Sequence, residues 1–294
     1  MISIVKYNRC MTGEHNFIET DVELSTTDVA ELDSLFQMGT IFEKIIELEA
    51  ISSELYQDLI SYIGTDNINN ILSKKKSDKI KIIRTGNKML LSYCASIKML
   101  VEKIESFIKH NCSNNEFEDF KKFLSKVYDD NLSYRFVMRL RNYMIHCDMP
   151  ITIAKVSITD GCGLYFNRDE LLKGSVWSTV REDIEKMPVE IDILPLFSEM
   201  PQLIKLIVDE SRYYYAPTVS DACEKIEAFA VKHNTTSLAY IIYDEDKGIA
   251  SGTINTPPIN RLEKSLEILR RHPRVNVVYH VNRRICRVEL IQAK

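Results

Sequence analysis

A run of amphipathic helices in the first half of the chain is the feature that most limits its fold. Apolar residues recur there every three or four positions, as on one face of an α-helix. The pattern predicts helices over residues 40–63, 85–109, 117–128 and 132–147, joined by short links. The last of them must end before Pro150, because a proline disfavours helical geometry in the residue that precedes it. Four such helices predict an antiparallel bundle.

The segments on either side of this bundle follow other patterns. Residues 1–24 alternate weakly and predict one or two strands, and the helical region then begins at the capping cluster Ser25-Thr26-Thr27-Asp28. After Pro150 the apolar period becomes two. This change predicts a hairpin with its turn at Gly161-Cys162-Gly163.

The last part of the chain mixes both periods. Helical patterning returns over residues 176–234, where four prolines interrupt it (Pro188, Pro195, Pro201 and Pro217). The last sixty residues predict a strand over residues 238–243, a partner strand over 249–254 and a helix over 260–271. Residues 275–290 form one long strand or a hairpin that turns near Asn282.

Together these patterns predict an α+β fold that is mainly helical, in which a four-helix bundle precedes a smaller α/β C-terminal region. The predicted parts are a strand-like segment (1–24), the helical bundle (25–149), a hairpin with helices (150–234) and a small ββαββ element (235–294).

Composition limits the function of the chain. Its formal net charge is -4 over 294 residues, so it lacks the basic surface of a general nucleic-acid coat protein, and any RNA contact must come from local patches. An enzyme needs affinity only at its site, so this argument weighs more against a binding protein than against an enzyme. The seven cysteines are scattered without a C-x-x-C pair, and the six histidines show no H-x-x-x-H spacing. We therefore expect reduced cysteines, no metal and no cofactor.

Nothing in the sequence predicts association with a membrane. The first residues do not follow the pattern of a signal peptide, and no apolar run approaches the roughly 20 residues that a membrane span requires. We expect a cytoplasmic protein.

The helix predicted over residues 132–147 carries an unusual set of polar residues. At about 100° per residue, four of them fall within one narrow arc, namely Arg135, Arg139, Asn142 and His146. Arg141 lies instead within the apolar stripe of that helix. A guanidinium is expensive to bury alone, so Arg141 requires either a carboxylate partner or a cleft that opens beside it. Taken alone, Arg141 fits an ion pair with a neighbouring helix, and His146 fits a cation that stabilises the helix end.

The run Leu140-Arg141-Asn142-Tyr143-Met144-Ile145-His146 resembles the R-x4-6-H motif of the HEPN superfamily of ribonucleases, in which Asn, Asp or His often follows the arginine. The helices around Gly86-Asn87-Lys88-Met89 and Tyr128-Asp129-Asp130-Asn131 resemble the remainder of the HEPN bundle. The exit at Cys147-Asp148-Met149-Pro150 resembles that of uncharacterised bacterial members. The resemblance covers residues 40–150.

The resemblance implies metal-independent RNA cleavage by a homodimer, in which the RNA 2'-hydroxyl attacks the adjacent phosphate and leaves a 2',3'-cyclic phosphate. His146 would exchange protons, Arg141 would bind the scissile phosphate and stabilise its charge, and Asn142 would orient the imidazole or hold the phosphate. The protein would be a toxin or an effector of defence or stress, with an antitoxin or another regulatory partner.

Several alternatives remain open from the sequence. On a regular helix Arg141 and His146 diverge by about 140°, so Arg139 is an alternative catalytic arginine and Arg135 an auxiliary one. The protein could also be a non-catalytic HEPN-like module for dimerisation or ligand sensing. A third hypothesis is an RNA-binding adaptor that uses arginines near the C-terminus (Arg270, Arg271, Arg283 and Arg284).

Overall fold

The computed structural model describes residues 1–9, 15–64, 79–157, 161–235, 237–248, 252–279 and 286–290. Helices dominate, and small antiparallel sheets accompany them, so the predicted mixed and mainly helical α+β class is confirmed. The chain forms two compact units. The central unit is residues 45–211, and the terminal unit combines residues 1–44 with residues 212–294.

The elements are numbered in chain order. Those that begin in the terminal unit are β1 (Ile2–Arg9), β2 (His15–Glu23), α1 (Thr26–Gly39), α2 (Glu43–Ile63), β6 (Tyr240–Ile242), β7 (Thr253–Asn255), α10 (Ile259–Leu269), β8 (Val275–Tyr279) and β9 (Cys286–Leu290). Those that begin in the central unit are α3 (Lys79–Asn111), α4 (Asn114–Asp130), α5 (Leu132–His146), β3 (Ile151–Ser157), β4 (Gly161–Asn167), α6 (Arg168–Leu171), a 3-10 helix (Ser175–Val180), α7 (Arg181–Glu185), β5 (Glu190–Asp192), α8 (Ile193–Phe197) and α9 (Met200–Lys232).

The terminal unit is built around a sheet that joins the two ends of the chain. Its strand order is β2-β1-β6-β7, and Ile2 and Ile4 in β1 pair with Ile242 and Tyr240 in β6. This pairing explains why the two units do not follow the boundaries predicted near residues 25, 150 and 235. The helix start predicted at Ser25 is confirmed, since its hydroxyl accepts from the Asp28 amide at 3.1 Å in a capping box.

In the central unit α3, α4 and α5 pack against one another, as the amphipathic pattern predicts. A three-stranded antiparallel sheet of order β3-β4-β5 accompanies them, and the predicted hairpin is its β3–β4 pair. The prediction for its turn was wrong. Gly161 to Gly163 lie within β4, where Gly163 is opposite Lys155, and a Cβ at Gly163 would come within 2.9 Å of the Tyr165 ring. Residues 158–160, which connect the two strands, lie outside the described residues.

A second local prediction was also wrong, because Pro217 does not interrupt the helical pattern. It lies inside α9, which runs unbroken from Met200 to Lys232. A proline removes one helical hydrogen bond and disfavours a helix interior by roughly 3 kcal/mol. Here the neighbouring side chains Tyr215, Ala216 and Val219 are buried, so packing offsets the local cost. Within the described part of the chain, no helix combines the length and apolar character needed to cross a membrane.

Asn87 fixes the exit from α5. Its side chain is buried in α3 and makes two hydrogen bonds with the backbone of Ile151, donating to the carbonyl at 2.9 Å and accepting from the amide at 3.0 Å. The neighbouring Gly86 lets β3 approach, since a Cβ there would lie 3.1 Å from Ile151 Cδ1. The α3 helix therefore holds the first residue of β3 directly after the Pro150 bend.

We expect Asn87→Ala to lower the free energy of unfolding by about 2–4 kcal/mol, because it leaves two buried backbone groups without partners. Urea denaturation measures the change. Ser92→Ala on the exposed side of the same helix, where the hydroxyl donates only to the Lys88 carbonyl, is the control and should change stability by less than about 0.5 kcal/mol. Equal midpoints for the two variants would contradict the role assigned to Asn87.

Candidate functional site

A stack of aromatic side chains fixes the rotation of α5 about its axis. The Trp177 ring lies against Phe136 at 5.6 Å and Tyr143 at 5.2 Å between centroids, and all three side chains are buried. Leu140 between them is also buried. Beside this buried face, the polar arc of the helix carries the half-buried Arg139 and Asn142 and the exposed His146.

Arg135 is held in place by an acid from α7. Its Nη2 lies 3.0 Å and its Nε 3.2 Å from Asp183 Oδ2, and its Nη1 donates to the Asp129 carbonyl at 2.7 Å. The ion pair is half-buried, so it is less screened than a surface pair. These contacts leave Arg135 a structural link between α5 and α7.

Arg139 has a different environment, although it lies one turn further along the same face. Its Nε donates to the Tyr128 hydroxyl at 3.0 Å, and that hydroxyl lies 3.2 Å from Thr179 Oγ1. In the described part of the chain it forms no ion pair with a carboxylate. Arg139 is therefore a positioned cation that is not neutralised.

Arg141 is also a cation without an acidic partner among the described residues. Its Nη1 donates to Asn142 Oδ1 at 3.3 Å, and its buried Nε has no hydrogen-bond partner in the described ranges. The ion pair with a neighbouring helix, which the sequence left open, is not found in the part of the chain that the structure describes. A guanidinium balanced only by a neutral amide favours an anion nearby.

His146 is the last residue of α5 and is exposed. The backbone amides of Cys147 and Asp148 both donate to the Tyr143 carbonyl and close the helix there. Since α5 stays helical through His146, this imidazole and the Arg141 guanidinium leave the helix about 140° apart. One copy of α5 thus brings Asn142 next to Arg141 and places His146 on the other side.

Tyr143 does not compete with His146 as a base. Burial raises the pKa of its hydroxyl to about 12, and the nearby Asp148 contributes in the same direction. The hydroxyl is 3.4 Å from the Glu170 carbonyl, to which it donates. At neutral pH the phenol keeps its proton, and the Tyr143 ring packs against Trp177.

Sequence reasoning missed the segment that follows β4 and lies beside α5. In this segment Ser178 has φ 36° and ψ -111°, a conformation that favours glycine. Its neighbours Trp177 and Val180 are fully buried, and this burial imposes the backbone strain. The next residue, Thr179, contacts the Tyr128 hydroxyl. No local sequence pattern signals a strained serine, because the strain comes from tertiary packing.

We expect Ser178→Gly to raise the free energy of unfolding by about 1 kcal/mol, since glycine adopts this conformation without a Cβ clash. Ser175→Gly is the matched control. Ser175 is exposed in the same 3-10 helix and has no positive φ, so glycine there should lower stability slightly. Denaturation midpoints that fall in both variants would show that Ser178 is not strained.

The C-terminal arginines are placed only in part. Arg270 and Arg271 follow α10 and are exposed, while Arg283 and Arg284 lie outside the described residues. Nearby, the Arg274 guanidinium stacks over the Tyr213 ring at 3.9 Å from the centroid. This cation–π contact stabilises the end of the α10 segment.

No protein-family model matches the chain, and no curated protein or solved structure is significantly similar to it. Among the residues that the structure describes, no three His, Cys, Asp or Glu side chains converge as a metal site would require.

Proposed function

We propose that this chain is a metal-independent endoribonuclease of the HEPN type, in which Arg141, Asn142 and His146 act on one phosphodiester and leave a 2',3'-cyclic phosphate. The observation that carries the proposal is the state of Arg141. Its charge meets no carboxylate among the described residues, its Nε is buried without a partner, and an exposed imidazole ends the same helix.

Each residue has a role that its chemistry supports. Arg141 binds the scissile phosphate and stabilises the charge that grows on its oxygens. His146 takes the proton of the 2'-hydroxyl or returns a proton to the leaving 5'-oxygen, as an imidazole can near neutral pH. Asn142 accepts from Arg141 at 3.3 Å and so limits the positions of the guanidinium.

The alternative of a non-catalytic module predicts that Arg141 is locked in a buried ion pair. The absence of such a pair from the described residues favours the enzyme. The adaptor hypothesis depends on four arginines, of which the described residues include Arg270 and Arg271. An adaptor would lose RNA affinity when Arg283 and Arg284 are replaced, and would keep it when Arg141 and His146 are replaced.

We infer that the active form is a homodimer, because Arg141 and His146 leave the same helix about 140° apart. Arg141 and His146 lie on opposite flanks of an exposed strip on α5, which contains Asn142 and the 48% exposed Ile145. Met149, just beyond the helix, is 42% exposed. A dyad parallel to the helix exchanges the two flanks and places Arg141 beside His146 of the partner subunit. A dyad that lies in the interface and runs across the helix instead places each flank against the same flank of the partner subunit, so that Arg141 does not meet the partner's His146.

The decisive experiment is cleavage of end-labelled RNA in EDTA. We expect one product to end in a 2',3'-cyclic phosphate and the other to begin with a 5'-hydroxyl. The cyclic phosphate should block direct ligation at the 3' end. The 5'-hydroxyl should block a 5'-phosphate-dependent exonuclease unless a kinase first phosphorylates it. Products with a 5'-phosphate, or activity that EDTA abolishes, would refute the mechanism. We further propose that the protein acts in the cytoplasm as a toxin or as an effector of defence or stress, and that an antitoxin or another regulatory partner controls it.

A further inference from the structure

Arg139 is prepared for a ligand in a way that Arg135 is not. The two arginines lie one helical turn apart on α5, but Asp183 and the Asp129 carbonyl occupy three nitrogens of Arg135. Arg139 is held through Nε by the Tyr128 hydroxyl. Among the described residues its two terminal nitrogens have no hydrogen-bond partner, and these parallel donors are the ones that fit two oxygens of a phosphate.

The segment of residues 174–183 runs beside Arg139 and reaches the end of α5. Gly174 lies against Tyr143, where a Cβ would come within 2.8 Å of the ring. Further along, Thr179 meets Tyr128 and Asp183 meets Arg135. Residues 174–183 therefore follow α5 in the opposite direction, along the flank that bears Arg139.

The spacing of the polar face suits a strand of RNA. Arg139 and His146 are seven residues apart on the same side of α5, which separates their Cα atoms by about 10 Å along the axis. Their side chains can reach neighbouring phosphates of a single strand that lies along the helix. The described residues place no carboxylate in an ion pair with either side chain, so the face favours a continuous anion.

We propose that Arg139 binds the phosphate next to the scissile one on single-stranded RNA, and that Tyr128 and Thr179 are positioning residues that aim its guanidinium. The proposal rests on the ribonuclease function, and it assigns Arg139 to substrate binding rather than to the chemical step. Tyr128 restricts the side chain through Nε, Thr179 restricts Tyr128, and Ser178 sets the backbone that presents Thr179.

The test measures RNA binding in protein that carries His146→Ala, so that the probe is not cleaved. The probe is a fluorescently labelled single-stranded RNA oligonucleotide, titrated at several salt concentrations. Arg139→Gln should weaken binding about 5- to 50-fold and reduce the slope of log Kd against log salt by about 0.7, the value for one phosphate contact on a single strand. Lys126→Ala, which removes an exposed positive charge from the neighbouring α4, is the control and should leave the slope unchanged.

The positioning role is tested by a double-mutant cycle. Tyr128→Phe and Thr179→Val should each weaken binding about threefold when Arg139 is present, and should have no effect in the Arg139→Gln background. Circular dichroism confirms that each variant is folded. A wild-type slope for Arg139→Gln, or additive effects of Tyr128→Phe, would overturn the assignment. If the wild-type protein binds RNA through Arg139 but cleaves none, the ribonuclease proposal is refuted and the phosphate contact of Arg139 stands. If the protein binds no RNA at all, both proposals are refuted.

Discussion

His146→Ala should lower the rate of RNA cleavage by about 10²–10⁴-fold, the usual contribution of a positioned acid or base. His146 is exposed at the end of α5, so its loss should leave the fold intact and should leave RNA affinity almost unchanged. The measurement is the single-turnover rate on labelled RNA in EDTA, together with thermal denaturation of both proteins.

A second histidine offers a closely matched control. His110 is also exposed and also lies in the last turn of a helix, α3, where its Nδ1 contacts the Ser106 carbonyl. His110→Ala should cleave RNA at the wild-type rate. Equal rates for wild type and both variants would assign the cleavage to another site or to a contaminating nuclease.

Mixing two inactive variants should restore activity. Arg141→Ala should lower the rate by about 10²–10³-fold, because it removes the donor that stabilises the phosphate charge. If each site combines Arg141 of one protomer with His146 of the partner subunit, a heterodimer of Arg141→Ala and His146→Ala has one intact site and one doubly damaged site. After random exchange of subunits, half of the dimers are mixed, and activity should reach about a quarter of the wild-type value.

The mixing experiment separates the two ways of building the site. If each protomer supplied both residues of its own site, the heterodimer would contain two singly damaged sites and the mixture would stay inactive. The control is a mixture of Arg141→Ala with Asn142→Ala. Arg141 and Asn142 contact each other within one protomer, so both belong to the same half of each site, and every site of the mixed dimer lacks one of them. That mixture should gain little activity. The subunits are exchanged by dilution below the dimer dissociation constant before reconcentration.

Local structure was predictable where short-range chemistry determines it. The Ser25 capping box follows from the side chains of residues 25–28, and the extent of α5 follows from the helical period and from Pro150. The pairing of residues 2–4 with residues 240–242 was not predictable, because strands that meet across most of the chain leave no local signal. The same is true of Pro217, where buried neighbours outweigh the local preference.

The candidate site divides in the same way. The periodicity of α5 was enough to place Arg135, Arg139, Asn142 and His146 on one arc. It could not distinguish Arg135 from Arg139, since their difference depends on Asp183 and on Tyr128, which belong to other elements. The tertiary neighbours of each cation, rather than its position on the helix, determine whether it supports the fold or stays available to an anion.

The joining of both chain ends in one sheet also orders events during translation. Residues 45–211 leave the ribosome before β6 and β7 are made, so α5, which bears Arg141 and His146, can fold with its neighbours on the nascent chain. Strand β1 must then wait for more than two hundred residues before Tyr240–Ile242 emerge to pair with it. A ribosome that stops before that point would release a folded helical core beside an unpaired strand edge, a surface that invites aggregation and proteolysis.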